Sequence, residues 1–275
     1  MHGLGNDFVI VDAQSRPISV GNEGIRMLSD RHTGIGFDQL ITIEPAPDDE
    51  TDVRVRIYNS DGSEVSACGN AMRCVARLML NDSISKLRIR SDAGLLKAWR
   101  SPSNSSHFSV DMGPARDNWQ DIPLAQECDT NHLPLSRVPV SDPVAVNMGN
   151  PHAVFFVEDV SSIKIETLGP DLEHDPLFPE RANIGFAQIM GTDAIRLRVW
   201  ERGAGLTLAC GSGACAAAVA AHRRGLTGRN VQITVDGGDL NIEVRDDGHV
   251  VMSGPAEESF RGTVAEDAFA TSSGK

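Results

Sequence analysis

The chain has 275 residues, a formal net charge of −13 and a pI near 5.0. That acidity argues against nucleic acid or an anionic membrane as partner, and no apolar run approaches the ~18 residues that cross a bilayer. Five cysteines (68, 74, 128, 210 and 215) are an odd number, and no basic segment with an apolar core opens the chain, so they read as reduced thiols in a cytoplasm.

Taken in chain order, Gly5-Asn6-Asp7-Phe8 leads an apolar run to Asp12, and Val53 to Tyr58 alternates as a strand with one wet face. A turn at Asn59-Ser60-Asp61-Gly62 follows. Cys68 then opens a helix expected from Asn70 to about Asn81, and Leu87 to Arg90 alternates again. The polar, proline-dotted stretch from Arg116 to Pro139 is the expected crossing between two halves, 1–115 and 116–275. The second half begins with Gly149-Asn150-Pro151-His152 and an apolar run. It continues with an alternating strand from Ile195 to Val199 and a mostly alanine helix from Ser212 to about Arg224, closed by Gly225. Val231 to Val235 is a further strand. The tail is expected to pack back on the first half, with Thr271 to Lys275 frayed.

The halves share a motif. Ala67-Cys68-Gly69-Asn70 and Ala209-Cys210-Gly211-Ser212 lie 210 − 68 = 142 residues apart. Asn59 and Glu201 each stand nine residues before their cysteine. Gly5-Asn6 answers Gly149-Asn150, Gly36-Phe37-Asp38-Gln39 answers Gly185-Phe186-Ala187-Gln188, and Asp92-Ala93-Gly94 answers Asp236-Gly237-Gly238. Gly113-Pro114-Ala115 answers Gly254-Pro255-Ala256. Matches in one order indicate duplication of a long unit, not a short solenoid repeat. Helices apolar on nearly all sides are buried, so the fold class expected is α+β: two pseudo-symmetric, strand-rich halves, each wrapped around a central helix.

Isolated buried cysteines are usually core residues, and Cys74 and Cys215 read that way. They lie on other helix faces than Cys68 and Cys210, and the spacing cannot chelate a metal with them. Cys68 and Cys210 differ because each sits at a helix start, where unpaired N–H groups and the macrodipole are expected to lower a thiol pKa toward neutrality. One thiolate and one thiol can serve as base and acid. The N–H groups of Gly69, Asn70, Gly211 and Ser212 offer a seat for a carboxylate. The four lysines (86, 97, 164 and 275) sit in no motif for a pyridoxal Schiff base, and no dinucleotide loop or Walker lysine is present. His152 and the Glu201-Arg202 pair earn attention by their places in the repeat.

Met1 to Phe8, Asn59 to Glu64, Ala67 to Cys74, Gly149 to His152 and Glu201 to Cys215 together resemble the diaminopimelate epimerase family over nearly the whole chain. The resemblance implies a pair of barrels, each around a helix, with the active site in the cleft between them. It also implies cofactor-independent interconversion of LL- and meso-diaminopimelate, without pyridoxal phosphate or metal, on the route to lysine and peptidoglycan. Carried over by residue, Cys210 is the base and Cys68 the acid in the LL-to-meso direction, with His152 and Glu201 supporting catalysis. Asn6, Gln39, Asn59, Asn150, Asn183, Glu201 and Arg202 complete the substrate pocket, with Arg202 on the distal carboxylate. With substrate bound, each sulfur is expected ~3–3.5 Å from the α-carbon, so that the thiols lie roughly 6–7 Å apart. Two facing low-pKa thiols are also expected to form a disulfide under mild oxidation.

Two departures from the family stand out. This chain begins at the Met1-His2-Gly3 loop, where the family usually has a short preceding strand, so either the start codon is misplaced or a sheet edge is left open. Leu206 stands where many relatives have glutamate, a change expected to be tolerated. The partner expected is a small diamino dicarboxylate, with no nucleic acid and no membrane. A homodimer is carried as an expectation, although the residues themselves do not give the oligomeric state. Rival readings are a two-cysteine racemase resembling proline racemase, which needs no clamp for a second carboxylate, and a non-catalytic amino-acid-binding module.

Overall fold

The computed structural model describes residues 1–66, 68–102 and 104–269. Ala67 of the first cysteine motif and the tail from Thr271 to Lys275 lie outside the described residues. Two compact units form, one from Met1–Val110 together with the chain from Pro255 on, the other from Asp111–Gly254. The stretch 116–139 belongs to the second unit, where Ile122, Leu124, Leu133 and Leu135 are buried in the core.

The first unit contains β1 (His2–Gly3), β2 (Asn6–Asp12), α1 (Asn22–Ser29), β3 (Gln39–Pro45), β4 (Val53–Asn59) and β5 (Glu64–Val65). It continues through α2 (Gly69–Met79), β6 (Lys86–Ser91) and β7 (Gly94–Arg100) into β8 (His107–Pro114), which runs on into the second unit. β2 pairs β3 in parallel, β3 pairs β4 antiparallel, β4 pairs β6 in parallel and β6 pairs β7 antiparallel. Alternation in β4 buries Val53, Val55 and Ile57 and leaves Arg54 and Arg56 half-buried, as period two requires. α2 packs against β1, β2 and β7.

The second unit contains β9 (Ser136–Arg137), β10 (Val140–Ser141), β11 (Val144–Asn147), β12 (Pro151–Phe156), α3 (Ile165–Glu173), β13 (Asn183–Gly191) and β14 (Ala194–Glu201). β15 (Gly205–Leu206), α4 (Gly211–Arg223), β16 (Asn230–Val235), β17 (Gly238–Val244) and β18 (His249–Pro255) follow. Its pairings repeat those of the first: β12 with β13 in parallel, β13 with β14 antiparallel, β14 with β16 in parallel and β16 with β17 antiparallel. α4 packs against β11, β12, β13, β14, β16 and β17, so the sheet wraps the helix as expected. Alanine, the strongest helix former, fills α4, and small side chains let those strands approach. The helix closes on Gly225 (φ 67°), with Leu226 N–H donating to Ala221 O and Gly225 N–H to His222 O, 2.9 Å each. That is the paired bonding of a Schellman motif. The fold class is therefore α+β, with two strand-rich halves built on one plan.

The ladders correct one of the sequence correspondences. Phe8 faces Gln39 and His152 faces Asn183, so Gln39 corresponds to Asn183, 144 residues on, and not to Gln188. The Gly-Phe likeness of 36–37 and 185–186 is coincidental. The ladders also match Glu64, opposite Tyr58, with Leu206, opposite Trp200. Glu64 binds Arg56 through two contacts of 2.7 and 2.8 Å. Arg198, the counterpart of Arg56, turns instead to Asp236, at 3.1 Å. Arg198 thus has a carboxylate partner although residue 206 is leucine.

The N-terminal segment is in part a short strand at the edge of the sheet. His2–Gly3 is a strand, not a loop. It pairs with residues 6–7, and His2 exchanges both backbone hydrogen bonds with Glu257 at 2.9 Å each. That segment from the end of β18 lies along β1, so the His2 backbone is paired on both sides.

Candidate active site

In the first unit the β1–β2 hairpin carries Asn6 to the start of α2. Cys68 occupies the N-cap position in extended conformation, and Gly69 and Asn70 form the first helical turn, both buried. Asn6 Oδ1 receives Asn70 Nδ2 at 3.3 Å and the Cys68 thiol at 3.8 Å. Asn6 Nδ2 donates to Asp38 at 2.9 Å. Gln39 and Asn59 share a rung of the β3–β4 ladder and join side chains at 3.0 Å. The Oε1 of Gln39 is buried without a hydrogen-bond partner among the described residues. An unpaired buried amide oxygen is costly, and a ligand ammonium group is suited to take it.

Sequence reasoning missed the charged frame behind these amides. Arg31 forks onto Asp7 with two contacts of 2.8 Å and reaches Asp38 at 2.9 Å. Burial would raise the Asp7 carboxyl, but the Arg31 hydrogen bonds and charge, together with hydrogen bonds from Asp38, hold the group below its ordinary value. No local pattern announces this cluster, because its members meet only when β2 and β3 pair.

In the second unit Cys210 is the N-cap of α4, with Gly211 and Ser212 following. Its sulfur accepts the Gly213 N–H at 3.3 Å and lies 3.6 Å from Ser212 Oγ. Burial pushes the Cys210 thiol well above its ordinary value, and the adjacent Glu201 carboxylate adds to the rise. Ser212 and Gly213 act in the opposite sense without overcoming it. The low thiol pKa expected from the helix terminus is therefore not found at Cys210: desolvation of the thiolate and a like charge exceed the helix-end effect. The disulfide expectation loses that part of its basis.

Glu201 also accepts a short hydrogen bond from Thr207 Oγ1, a residue that no sequence motif pointed to. His152 is buried, and Nε2 meets Asn150 Oδ1 at 2.9 Å. Burial, with the Arg202 charge in support, pushes its pKa down to about 3, so the imidazole is neutral. Asn183 is buried and ties two strands together. Its Nδ2 donates to Pro151 O and its Oδ1 accepts the Arg202 N–H, both at 3.0 Å. Arg202 Nη1 donates to Glu180 O at 2.9 Å. Below this turn Glu173, also missed, accepts Trp200 Nε1 at 2.7 Å and Gly203 N–H at 3.0 Å.

The expected residues thus gather within each unit as two groups. Asn6, Gln39, Asn59, Gly69 and Asn70 accompany Cys68, and Asn150, His152, Asn183, Glu201, Arg202, Gly211 and Ser212 accompany Cys210. Each group supplies a sulfur, a helix N-terminus with N–H groups for an anion, and amides that can donate and accept.

A family model described as diaminopimelate epimerase matches residues 1–117 and 144–258. The chain belongs to the diaminopimelate epimerase family. It is thereby an amino-acid epimerase, an isomerase. The diaminopimelate epimerase of Acidiphilium cryptum (strain JF-5) is 55% identical over 263 residues, covering 95% of this chain and 94% of the relative. That of Rhodospirillum centenum (strain ATCC 51521 / SW) is 51% identical over 267 residues, covering 97% and 91%. Among solved structures, a probable proline racemase from Agrobacterium radiobacter K84 superposes with a TM-score of 0.65 at 15% identity, covering 92% of this chain and 88% of that one. A hydroxyproline epimerase from Agrobacterium vitis does so with a TM-score of 0.64 at 14% identity, covering 92% and 87%. At those identities the likeness is one of fold.

Proposed function

We propose that this epimerase interconverts LL- and meso-diaminopimelate by a two-base reaction at Cys68 and Cys210, serving lysine and peptidoglycan synthesis in the cytoplasm. The observation that supports it best is the twice-built turn and helix, each opening in a cysteine at the N-cap position. In this reading the substrate's α-carboxylate is held by the helix N-termini at Gly69-Asn70 and Gly211-Ser212. In the LL-to-meso direction the Cys210 sulfur, as thiolate, takes the α-proton, breaking the C–H bond and forming S–H. The Cys68 thiol gives its proton to the opposite face of the same carbon, breaking S–H and forming C–H. Roles exchange in reverse.

Cys210 must enter this cycle deprotonated, while burial favours its thiol. Glu201, already against that thiol, is the group to accept the proton as substrate fills the site. Neutral His152 is a hydrogen-bonding partner, not a cation, and so does not compete for the carboxylate. Arg202 takes the distal carboxylate, where a guanidinium fork gives defined geometry.

The test is incubation of reduced protein with LL-diaminopimelate in D₂O. Early meso product with deuterium at the inverted centre, and little label in remaining substrate, is the expected result. Binding of diaminopimelate by folded, reduced protein with neither inversion nor exchange would overturn the reading in favour of a binding module.

A further inference from the structure

The amides around Cys68 are held in a single direction by charged groups at both ends. At one end Asp38, a carboxylate that only accepts, faces Asn6 Nδ2 at 2.9 Å. At the other, Arg73 Nη1, a donor with no accepting capacity, faces Asn70 Oδ1 at 3.0 Å. Asn70 must then turn its Nδ2 outward, and this meets Asn6 Oδ1 at 3.3 Å. The two constraints agree: Asn6 presents its carbonyl oxygen, and not its NH₂, toward Asn70 and the Cys68 sulfur 3.8 Å away.

Both ends are anchored. Arg73 is fully buried, its Nε donates to Pro255 O at 3.1 Å, and a Cβ on Gly3 would stand 3.0 Å from its Nη2. The backbone of β1 therefore passes close over the guanidinium. Asp38 also accepts the Asp7 N–H at 3.1 Å and Arg31 Nη2 at 2.9 Å. The charged groups along this chain are Arg31, Asp7 and Asp38 on one side and Arg73 on the other. Among the described residues nothing equivalent is built at Cys210, where Asn150 Oδ1 is occupied by His152 and the residue matching Asn70 is Ser212.

We propose that Asp38 and Arg73 are positioning residues for Cys68, fixing the direction of the Asn6 and Asn70 amides so that a carbonyl oxygen faces the thiol. The consequence is an acceptor that holds the Cys68 proton until a carbanion competes for it. That consequence for turnover rests on the proposed epimerisation, whereas the orientation itself does not.

The experiment follows alkylation of Cys68 by iodoacetamide across pH in substrate-free protein, with the site located by peptide mapping and folding checked by circular dichroism. Asp38→Ala removes charge and acceptor and leaves Asn6 directed only by the longer 3.3 Å contact from Asn70. The Asn6 amide can then turn, and alkylation at neutral pH is expected to rise about fivefold. Asp38→Asn removes the charge but still offers an oxygen to Asn6, so its profile stays close to wild type. In an Asn6→Ala background Asp38→Ala has no further effect. Equal shifts in Asp38→Ala and Asp38→Asn would assign the effect to charge alone and overturn the proposal. So would an unchanged profile in folded Asp38→Ala, or a shift that persists without Asn6. Because no substrate is used, these outcomes are independent of the D₂O test.

Discussion

Glu201 lies against the Cys210 thiol, and burial together with its carboxylate holds that sulfur protonated. The first repeat has an amide, Asn59, at the matching strand end, joined to Gln39 and Ser63. The halves therefore offer their cysteines different electrostatic surroundings on one backbone plan.

Glu201→Gln separates the two influences on Cys210. Without the carboxylate the thiol pKa falls, yet burial keeps it above the ordinary value, so alkylation of Cys210 becomes faster at a given pH. Turnover moves the other way, because the proton acceptor beside the base is gone, and kcat is expected to drop about 100-fold. Steady-state kinetics with unchanged kcat would remove Glu201 from the mechanism.

His152 makes stability depend on pH. Its folded pKa, pushed down to about 3, lies below the unfolded value of ~6.5. Between those values the unfolded chain binds a proton that the folded chain does not. The stability contributed by neutral His152 is whole above ~6.5 and declines as pH falls, by roughly 1.4 kcal/mol per unit until the folded pKa is reached. Urea unfolding at pH 6.5 and 5 measures it. His152→Gln, which keeps a polar partner for Asn150, should lose most of that slope. An equal slope in the variant would trace the effect to other groups.

Arg202 tests the substrate class. Asn183 fixes its backbone at 3.0 Å and Glu180 O takes one guanidinium nitrogen at 2.9 Å. Arg202→Lys keeps the charge but loses the fork, so KM for diaminopimelate should rise about tenfold, with a smaller change in kcat. If the enzyme instead acts on monocarboxylic amino acids, as a racemase resembling proline racemase would, Arg202→Ala will leave their turnover intact.

The central helices and their cysteine turns were legible in the sequence because continuous apolar composition and a Cys-Gly turn are local signals. α2 and α4 begin at Gly69 and Gly211, one residue before the expected starts. α1 and α3 were not legible. They are eight and nine residues long, and α3 carries Gly169 and Pro170, both poor helix formers. They persist because they pack: a Cβ on Gly24 would meet Phe269 O at 2.6 Å. Repeat spacing read from motifs was sound at the cysteines but slipped at Gly36-Phe37, where only strand pairing sets the correspondence. The Asp7–Arg31–Asp38 frame was invisible for the same reason, since salt bridges between distant positions have no sequence period.

Glu173 supports the turn that bears Glu201 and Arg202. Its buried carboxylate accepts Trp200 Nε1 and Gly203 N–H through different oxygens, with the half-exposed Arg181 farther off at 3.5 Å. α3 can bring it there because Gly169 has no side chain: a Cβ would stand 2.4 Å from Trp200 Cγ. Glu173→Gln can satisfy only one of the two N–H donors, since its other end is itself a donor. The unmet group should cost about 1–3 kcal/mol in urea unfolding. KM for diaminopimelate should rise as the Glu201–Gly203 turn loosens, while alkylation of Cys68 in the other repeat stays unchanged. Gly169→Ala, which pushes Trp200 from the same helix, should reproduce that pattern. Stability loss in Glu173→Gln with no change in KM would make Glu173 a folding residue without influence on the site.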